Sequence, residues 1–317
     1  MAANVRRRFP ALTQQSYRRP CTPIPFQWPA PRTFSACSRL REDISDMKVT
    51  DRMTMKGRNV LVTGGGRGIG FAICKAVAQM GGNVAVIDAL PEPIEEFHTL
   101  EKKYGTKTTF QQADVTSEES LGSAVQDAVS AFGEFHGCVP AAGIALDKPL
   151  AQHTWAESQR VLMVNTMGTF WTVKLVADNM AKHGQGGSIV LIASVAAQGI
   201  KVPEQNLSIY NMSKAGVKGL VGPLATELSE SNIRVNSISP GVILSPMTRS
   251  LKTEYPSLAQ MFENAAPVGR MGVPQDLTPA IIYLLSDAGS FTTGSDFPIT
   301  GGLHAGVRPS WMHRAMP

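Results

Sequence analysis

The chain has 317 residues, 43% of them hydrophobic and 17% charged, with 29 glycines, a balance that excludes wholesale disorder and suits a globular α/β protein. No run reaches the roughly 18 consecutive apolar residues that a membrane span requires. The net charge of +5 comes from residues 1–41, which hold eight arginines and no acid; without those eight, 22 basic groups face 25 acidic ones, and a nucleic-acid role resting on overall basicity loses its support.

Prolines at 10, 20, 23, 25, 29 and 31 keep that opening from forming a continuous helix. Its arginine excess and lack of acids are the composition of a mitochondrial targeting segment, and Arg32–Ser35 (RTFS) resembles a matrix-peptidase site. We expect residues 1–45 to be a mitochondrial matrix leader; a basic tail on a cytoplasmic protein is the alternative. The four cysteines (Cys21, Cys37, Cys74, Cys138) form no CxxC pair and no disulfide framework. The six histidines are scattered without metal-ligand spacing, so no metal is expected.

From about Lys56 the pattern becomes regular. NVLVT (59–63) is a short apolar run that leads into glycines, and IGFAICKAVAQM (69–80) has helical spacing and stops at Gly81–Gly82. NVAVID (83–88) reads as a second strand. Residues 91–105 open with prolines and acids and close with lysines and glycine, the polarity of a helix. KTTFQQADV (107–115) predicts a third strand, and 117–133 a helix capped by Ser117. Apolar runs recur at GCVPAAG, SIVLIAS and IRVNSISPG, with long helical stretches between them. Strands that alternate with helices imply βαβ units and a parallel sheet with helices on both faces. Nothing between 56 and 303 marks a linker or repeat, so one domain is expected there, followed by a tail over 304–317.

Between the first strand and first helix lies TGGGRGIG, Thr63 to Gly70. In that position Gly64 allows a tight turn, Gly68 lets backbone approach a pyrophosphate, and Gly70 seats the helix against the sheet, with its N-terminal N–H groups free for the anion. Asp88, at the end of the second strand, can accept hydrogen bonds from both adenosine ribose hydroxyls of NAD and repels the 2′-phosphate of NADP. Arg67 pulls toward NADP. The closer carboxylate favours NAD, with NADP as the alternative.

Tyr210 and Lys214, in YNMSK, lie one turn apart on the same face of a helix predicted over 207–230. Ser194 ends the SIVLIAS strand, and Asn165 lies in the helical stretch VLMVNTMGTF. Together these residues resemble the short-chain dehydrogenase/reductase superfamily in its single-domain form, from about Lys56 to Gly302. The match takes in TGxxxGxG at 63–70, Asp114-Val115, Asn165, Ser194, YxxxK at 210–214, NSISPG at 236–241, and the later PVGRMGVPQDL and TTGSDFPITGG stretches.

The resemblance implies a Rossmann-type doubly wound parallel sheet and an enzyme that moves a hydride between a nicotinamide cofactor and a secondary alcohol or ketone. Tyr210 is then the general acid/base, and Lys214 lowers its pKa and holds nicotinamide ribose hydroxyls. Ser194 fixes the substrate oxygen, and Asn165 anchors a water that relays protons. Cofactor contacts carried over by the motifs are Thr63, Gly66, Ile69, Asp114, Val115, Ala142, Gly143, Pro240, Gly241, Val242 and Ser245, besides Gly64, Arg67, Gly68, Gly70, Asp88, Asn165, Tyr210 and Lys214. A homotetramer through the long helices beginning near His153 and Leu207 is likewise implied.

Two positions depart from the pattern. Ala141 stands where the family has an asparagine that ties neighbouring strands, and Ser245 stands where a threonine often contacts the nicotinamide amide. Specificity is expected from Ala145–Gln152, Val195–Ser208 and the methionine-rich stretch after Gly241, which resembles a lid. Lys201, Glu204, Gln205 and Asn206 suit a polyol or sugar ketone, and the local wording is most similar to fungal sorbitol, arabinitol and xylulose dehydrogenases. A ketoreductase acting on a specialised metabolite or a 3-oxoacyl chain is the alternative. A nucleotide-binding regulator without catalysis would have damaged Ser194, Tyr210 or Lys214, and all three are intact.

Overall fold

Strands buried on both faces need apolar side chains at every position, not at alternate ones, and NVLVT (59–63), NVAVID (83–88) and GSIVLI (187–192) carry them through their middles. The computed structural model describes residues 46–199, 205–245 and 256–306. Its seven strands are β1 (Asn59–Thr63), β2 (Asn83–Asp88), β3 (Thr108–Gln112), β4 (Gly137–Pro140), β5 (Gly187–Ile192), β6 (Ile233–Pro240) and β7 (Asp296–Ile299). They form one sheet in the order β3-β2-β1-β4-β5-β6-β7, with every neighbouring pair parallel.

Because side chains alternate across a strand, each strand serves two cores. Val60, Val62, Val84, Val86, Val190 and Ile192 face one layer, where α1 (Gly68–Gln79) contributes Phe71 and Ile73. Leu61, Ala85, Ile87, Ile189 and Leu191 face the other. Along the chain, α2 (Leu100–Tyr104) adds Leu100 to the first layer; α3 (Glu118–Phe132), α4 (Trp155–Leu162) and α5 (Gly168–His183) follow, with α3 and α5 on the second. From this set α3 supplies Leu121 and Val125, and α5 supplies Val173 and Val176. Next come α6 (Ser208–Gly219), α7 (Val221–Glu227), α8 (Pro256–Ala265) and α9 (Thr278–Leu285); α9 returns to the first layer with Ile281, Ile282, Leu284 and Leu285. The parallel α/β sheet expected from the sequence is therefore observed, and no helix among the described residues is long and apolar enough to cross a membrane.

Three segments differ from the sequence reading. Residues 91–94 are not helical: Ile94 N–H donates to the Gly66 carbonyl (3.0 Å), which draws this proline-bearing stretch onto the glycine loop, and a 3-10 turn at Glu95–Thr99 precedes α2. The helix predicted over 207–230 is two helices divided at Leu220. Pro223 has no N–H to continue the ladder back to Gly219. The Asn165 helix is interrupted by a π turn at Met163–Met167, flanked by Thr169 and Thr172, whose hydroxyls donate to the carbonyls of Asn165 and Gly168 (2.7 Å each). Such back-bonding bends helices.

Candidate active site

In a parallel sheet all strands end on one edge, and the crevice opens where the strand order reverses. Here that point lies between β1 and β4. Gly64 leaves β1 with φ +68°, and a Cβ on it would come within 2.7 Å of Ala142 Cα. A Cβ on Gly70 would overlap the Gly64 carbonyl oxygen, and one on Gly66 would come within 2.9 Å of Asp88 Oδ2. Gly68, at φ +62°, opens α1. The loop is thus a bare backbone cradle at a helix N-terminus, with Thr63 and Ile69 on either side and Arg67 exposed beside it.

Asp88 Oδ2 accepts from Gly66 N–H (2.8 Å) and Oδ1 from Leu90 N–H (3.0 Å). The carboxylate at the end of β2 is therefore fixed against the glycine loop. Asp114 is different: its Oδ1 takes the N–H and hydroxyl of Thr116 (2.9 and 2.8 Å), so the carboxylate closes its own turn. Val115 packs under Gly168, where a Cβ would come within 2.7 Å of it.

Ala141 and Ala142 answer the missing asparagine. Ala141 N–H donates to Thr63 O (3.0 Å) and Ala142 N–H to Thr63 Oγ1 (3.4 Å). Backbone and one threonine hydroxyl thereby join the β1 and β4 ends.

Around the adjoining β5 end, Ser194, Tyr210, Lys214 and Asn165 come together. Lys214 is buried, and its Nζ donates to Ile192 O (2.8 Å) while lying 5.9 Å from the centre of the Tyr210 ring. A Cβ on Gly143 would meet Asn165 Oδ1 at 3.4 Å and Lys214 Nζ at 3.5 Å; lacking one, Gly143 leaves room in front of the ammonium. Burial depresses Lys214 to about 8. Burial also raises the Tyr210 phenol above its ordinary value, with the neighbouring Ser194 hydroxyl pulling the other way. In the chain without its dinucleotide, desolvation sets the direction for Tyr210, opposite to the lowering expected from the sequence. The Ser194 hydroxyl also accepts from Ala196 N–H (3.1 Å).

Asn165, fully buried in the π turn, has its side chain committed. Its Oδ1 accepts from Ile144 N–H (2.8 Å), and its Nδ2 donates to Ile144 O and Ser213 Oγ (2.9 Å each). Ser213 in turn donates to Tyr210 O (2.7 Å). Sequence reasoning did not single out Ser213, whose burial only the structure shows. At the β6 end, Gly241 passes Thr300 so closely that a Cβ would come within 2.7 Å of its Cα, with Pro240 before it and Val242 after it. Ser245 is buried. Lys201, Glu204 and residues 246–255 of the stretch expected to resemble a lid lie outside the described residues, and Pro256–Ala265 of that stretch is α8.

A seven-stranded parallel sheet with a glycine cradle and a serine, tyrosine and lysine at its carboxyl edge defines a dinucleotide-dependent oxidoreductase. The comparisons agree. The family described as enoyl-(acyl carrier protein) reductase matches residues 64–304. An NADP-dependent mannitol dehydrogenase of Aureobasidium melanogenum is 34% identical over 80% of this chain and 95% of its own. A ribulose-forming D-arabinitol 2-dehydrogenase of Scheffersomyces stipitis is 31% identical over 82% and 98%. A solved structure of a 7α-hydroxysteroid dehydrogenase with NADH and 7-oxo glycochenodeoxycholic acid superposes with a TM-score of 0.75 at 32% identity, over 83% of this chain and 99% of that one. The chain belongs to the short-chain dehydrogenase/reductase superfamily. Its fold is Rossmann-like and single-domain, and it is an enzyme of the class acting on CH–OH groups. The superfamily works with NAD or NADP, and the side-chain-free cradle at Gly64, Gly66 and Gly70 fits such a dinucleotide.

Proposed function

We propose that this protein is a nicotinamide-dependent dehydrogenase of a polyol or sugar ketone, with Tyr210 as its proton-transfer residue. The observation that carries the reading is the meeting of Tyr210, Ser194 and buried Lys214 beside the cradle. The bound dinucleotide supplies or takes up the hydride. Burial keeps Tyr210 protonated at neutral pH, so in reduction it donates its proton to the ketone oxygen. In oxidation it takes the alcohol proton, helped by the positive charge of Lys214. Ser194 donates to the substrate oxygen, and Lys214 has donors beyond its Ile192 bond to hold ribose hydroxyls. Asn165, bound to Ile144 and Ser213, orients the wall beside Lys214.

The polyol assignment is supported by the mannitol and arabinitol dehydrogenases among its relatives. NAD preference is supported by the position of Asp88 against the loop, although the mannitol dehydrogenase is NADP-dependent. A second reading, reduction of a keto group in a larger ring or acyl compound, has the 7-oxo steroid complex and the family description in its favour. The Arg-rich start supports a mitochondrial matrix address. Assembly as a homotetramer is supported by exposed Trp155, Phe170 and Met212 on α4, α5 and α6.

A screen of NAD- and NADP-linked oxidation across pentitols, hexitols and hydroxysteroids tests both assignments. We expect a pentitol or hexitol to be oxidised with NAD at least about tenfold more efficiently than with NADP, a discrimination of about 1.4 kcal/mol. Turnover confined to hydroxysteroids, or a preference for NADP, would overturn the substrate or cofactor assignment respectively.

A further inference from the structure

Helix α6 carries Tyr210 in its first turn, as its third residue, yet its N-cap, Leu207, provides no side-chain cap. The first turn of a helix has free N–H groups and frays unless something holds it. What holds it here is the loop that leaves β4. Asn206 N–H donates to Asp147 Oδ1 (2.7 Å), and Asn206 O accepts from Lys148 N–H (3.0 Å). Both backbone groups of the residue before the N-cap are therefore tied to two consecutive loop residues.

That loop is itself braced at both ends by the α4 helix and its π turn. At the outer end, Lys148 Nζ lies 2.9 Å from each Glu157 oxygen, and His153 Nε2 donates to Lys148 O (2.8 Å). Glu157 also closes the capping box of α4 with Thr154. At the inner end, Asn165 holds both backbone groups of Ile144 and reaches Ser213 on α6. The two helices are thus joined below Tyr210 through Asn165 and Ser213, and above it through Asp147 and Asn206.

We propose that Asp147 is a positioning residue for Tyr210: by holding Asn206 it sets where α6 starts and where the phenol stands relative to Ser194. The proposal rests on the reading of Tyr210 as the proton-transfer residue. Asp147 is exposed, so its replacement leaves both cores intact. Asp147→Ala should lower kcat about five- to twentyfold, the size of a small misplacement at the reacting centre. Dinucleotide Kd should stay within about twofold, because the cradle is untouched. Backbone amide exchange over 206–210 should quicken in the same variant. Asp147→Asn, whose amide oxygen accepts the same N–H, should recover most of kcat and of the exchange protection. An unchanged kcat and exchange in Asp147→Ala, or equal impairment in the asparagine variant, would overturn the proposal. If the wild-type protein turns over no alcohol or ketone, the proposed function fails, and the exchange measurement still judges the anchor.

Discussion

Burial brings Lys214 down to about 8, so its charge changes close to neutral pH. Below that value it is an ammonium that stabilises the phenolate left when Tyr210 gives up its proton; above it, that support goes. The sign follows directly: a lysine with a depressed pKa is charged at pH 7 and loses its proton as pH rises through about 8. We predict that kcat/KM for ketone reduction falls above about pH 8. Lys214→Arg should move that limb upward, since a guanidinium stays charged, while lowering turnover at pH 7 by about tenfold or more because a planar fork cannot replace the ammonium. A limb that stays in place in the arginine variant would assign it to another group. The residues of this site were unequally legible. Ser194, Tyr210 and Lys214 announce themselves by spacing, and Asp88 by its place at a strand end. The Ile192 carbonyl that holds Lys214 has no side-chain signature, and Ser213 is an ordinary helix residue until its burial is known.

At the scale of elements, hydrophobic period and capping residues gave good returns where local chemistry decides the outcome. Ser117 accepts from Ser120 N–H (3.2 Å) at the start of α3, as its sequence suggested. The π turn has no such marker, because one extra residue in a helix leaves the apolar pattern on either side almost intact. The failed start at Pro91 arises from a tertiary bond, Ile94 to Gly66, which no local rule contains. The glycine loop makes the sharpest test at this scale. Gly70→Ala places a Cβ against the Gly64 carbonyl oxygen, whereas a Cβ at Gly122 in α3 meets nothing within 4 Å. Dinucleotide affinity, read by fluorescence titration, should fall about tenfold or more in Gly70→Ala, as the helix N-terminus is pushed from its anion. Gly122→Ala should leave affinity unchanged and raise stability by about 0.5–1 kcal/mol. Equal affinities in the two variants would mean that the close approach of α1 to the loop is not what shapes the cradle.

The whole molecule is one sheet serving two cores, and its functional groups all lie along one edge because every strand runs the same way. That arrangement was legible as a class: alternating strands and helices, with the central strands apolar on both faces, leave few other solutions. The strand order and the crevice between β1 and β4 were not, since period says nothing about which strand lies beside which. The central claim is that Tyr210, at that edge, moves the proton. Tyr210→Phe removes one hydroxyl and keeps the ring beside Lys214, so it leaves the cradle as it is. With the substrate identified by the screen, we predict that this variant binds dinucleotide with a Kd within about twofold of wild type while kcat falls by about 10²-fold or more. Wild-type turnover in Tyr210→Phe would contradict the account.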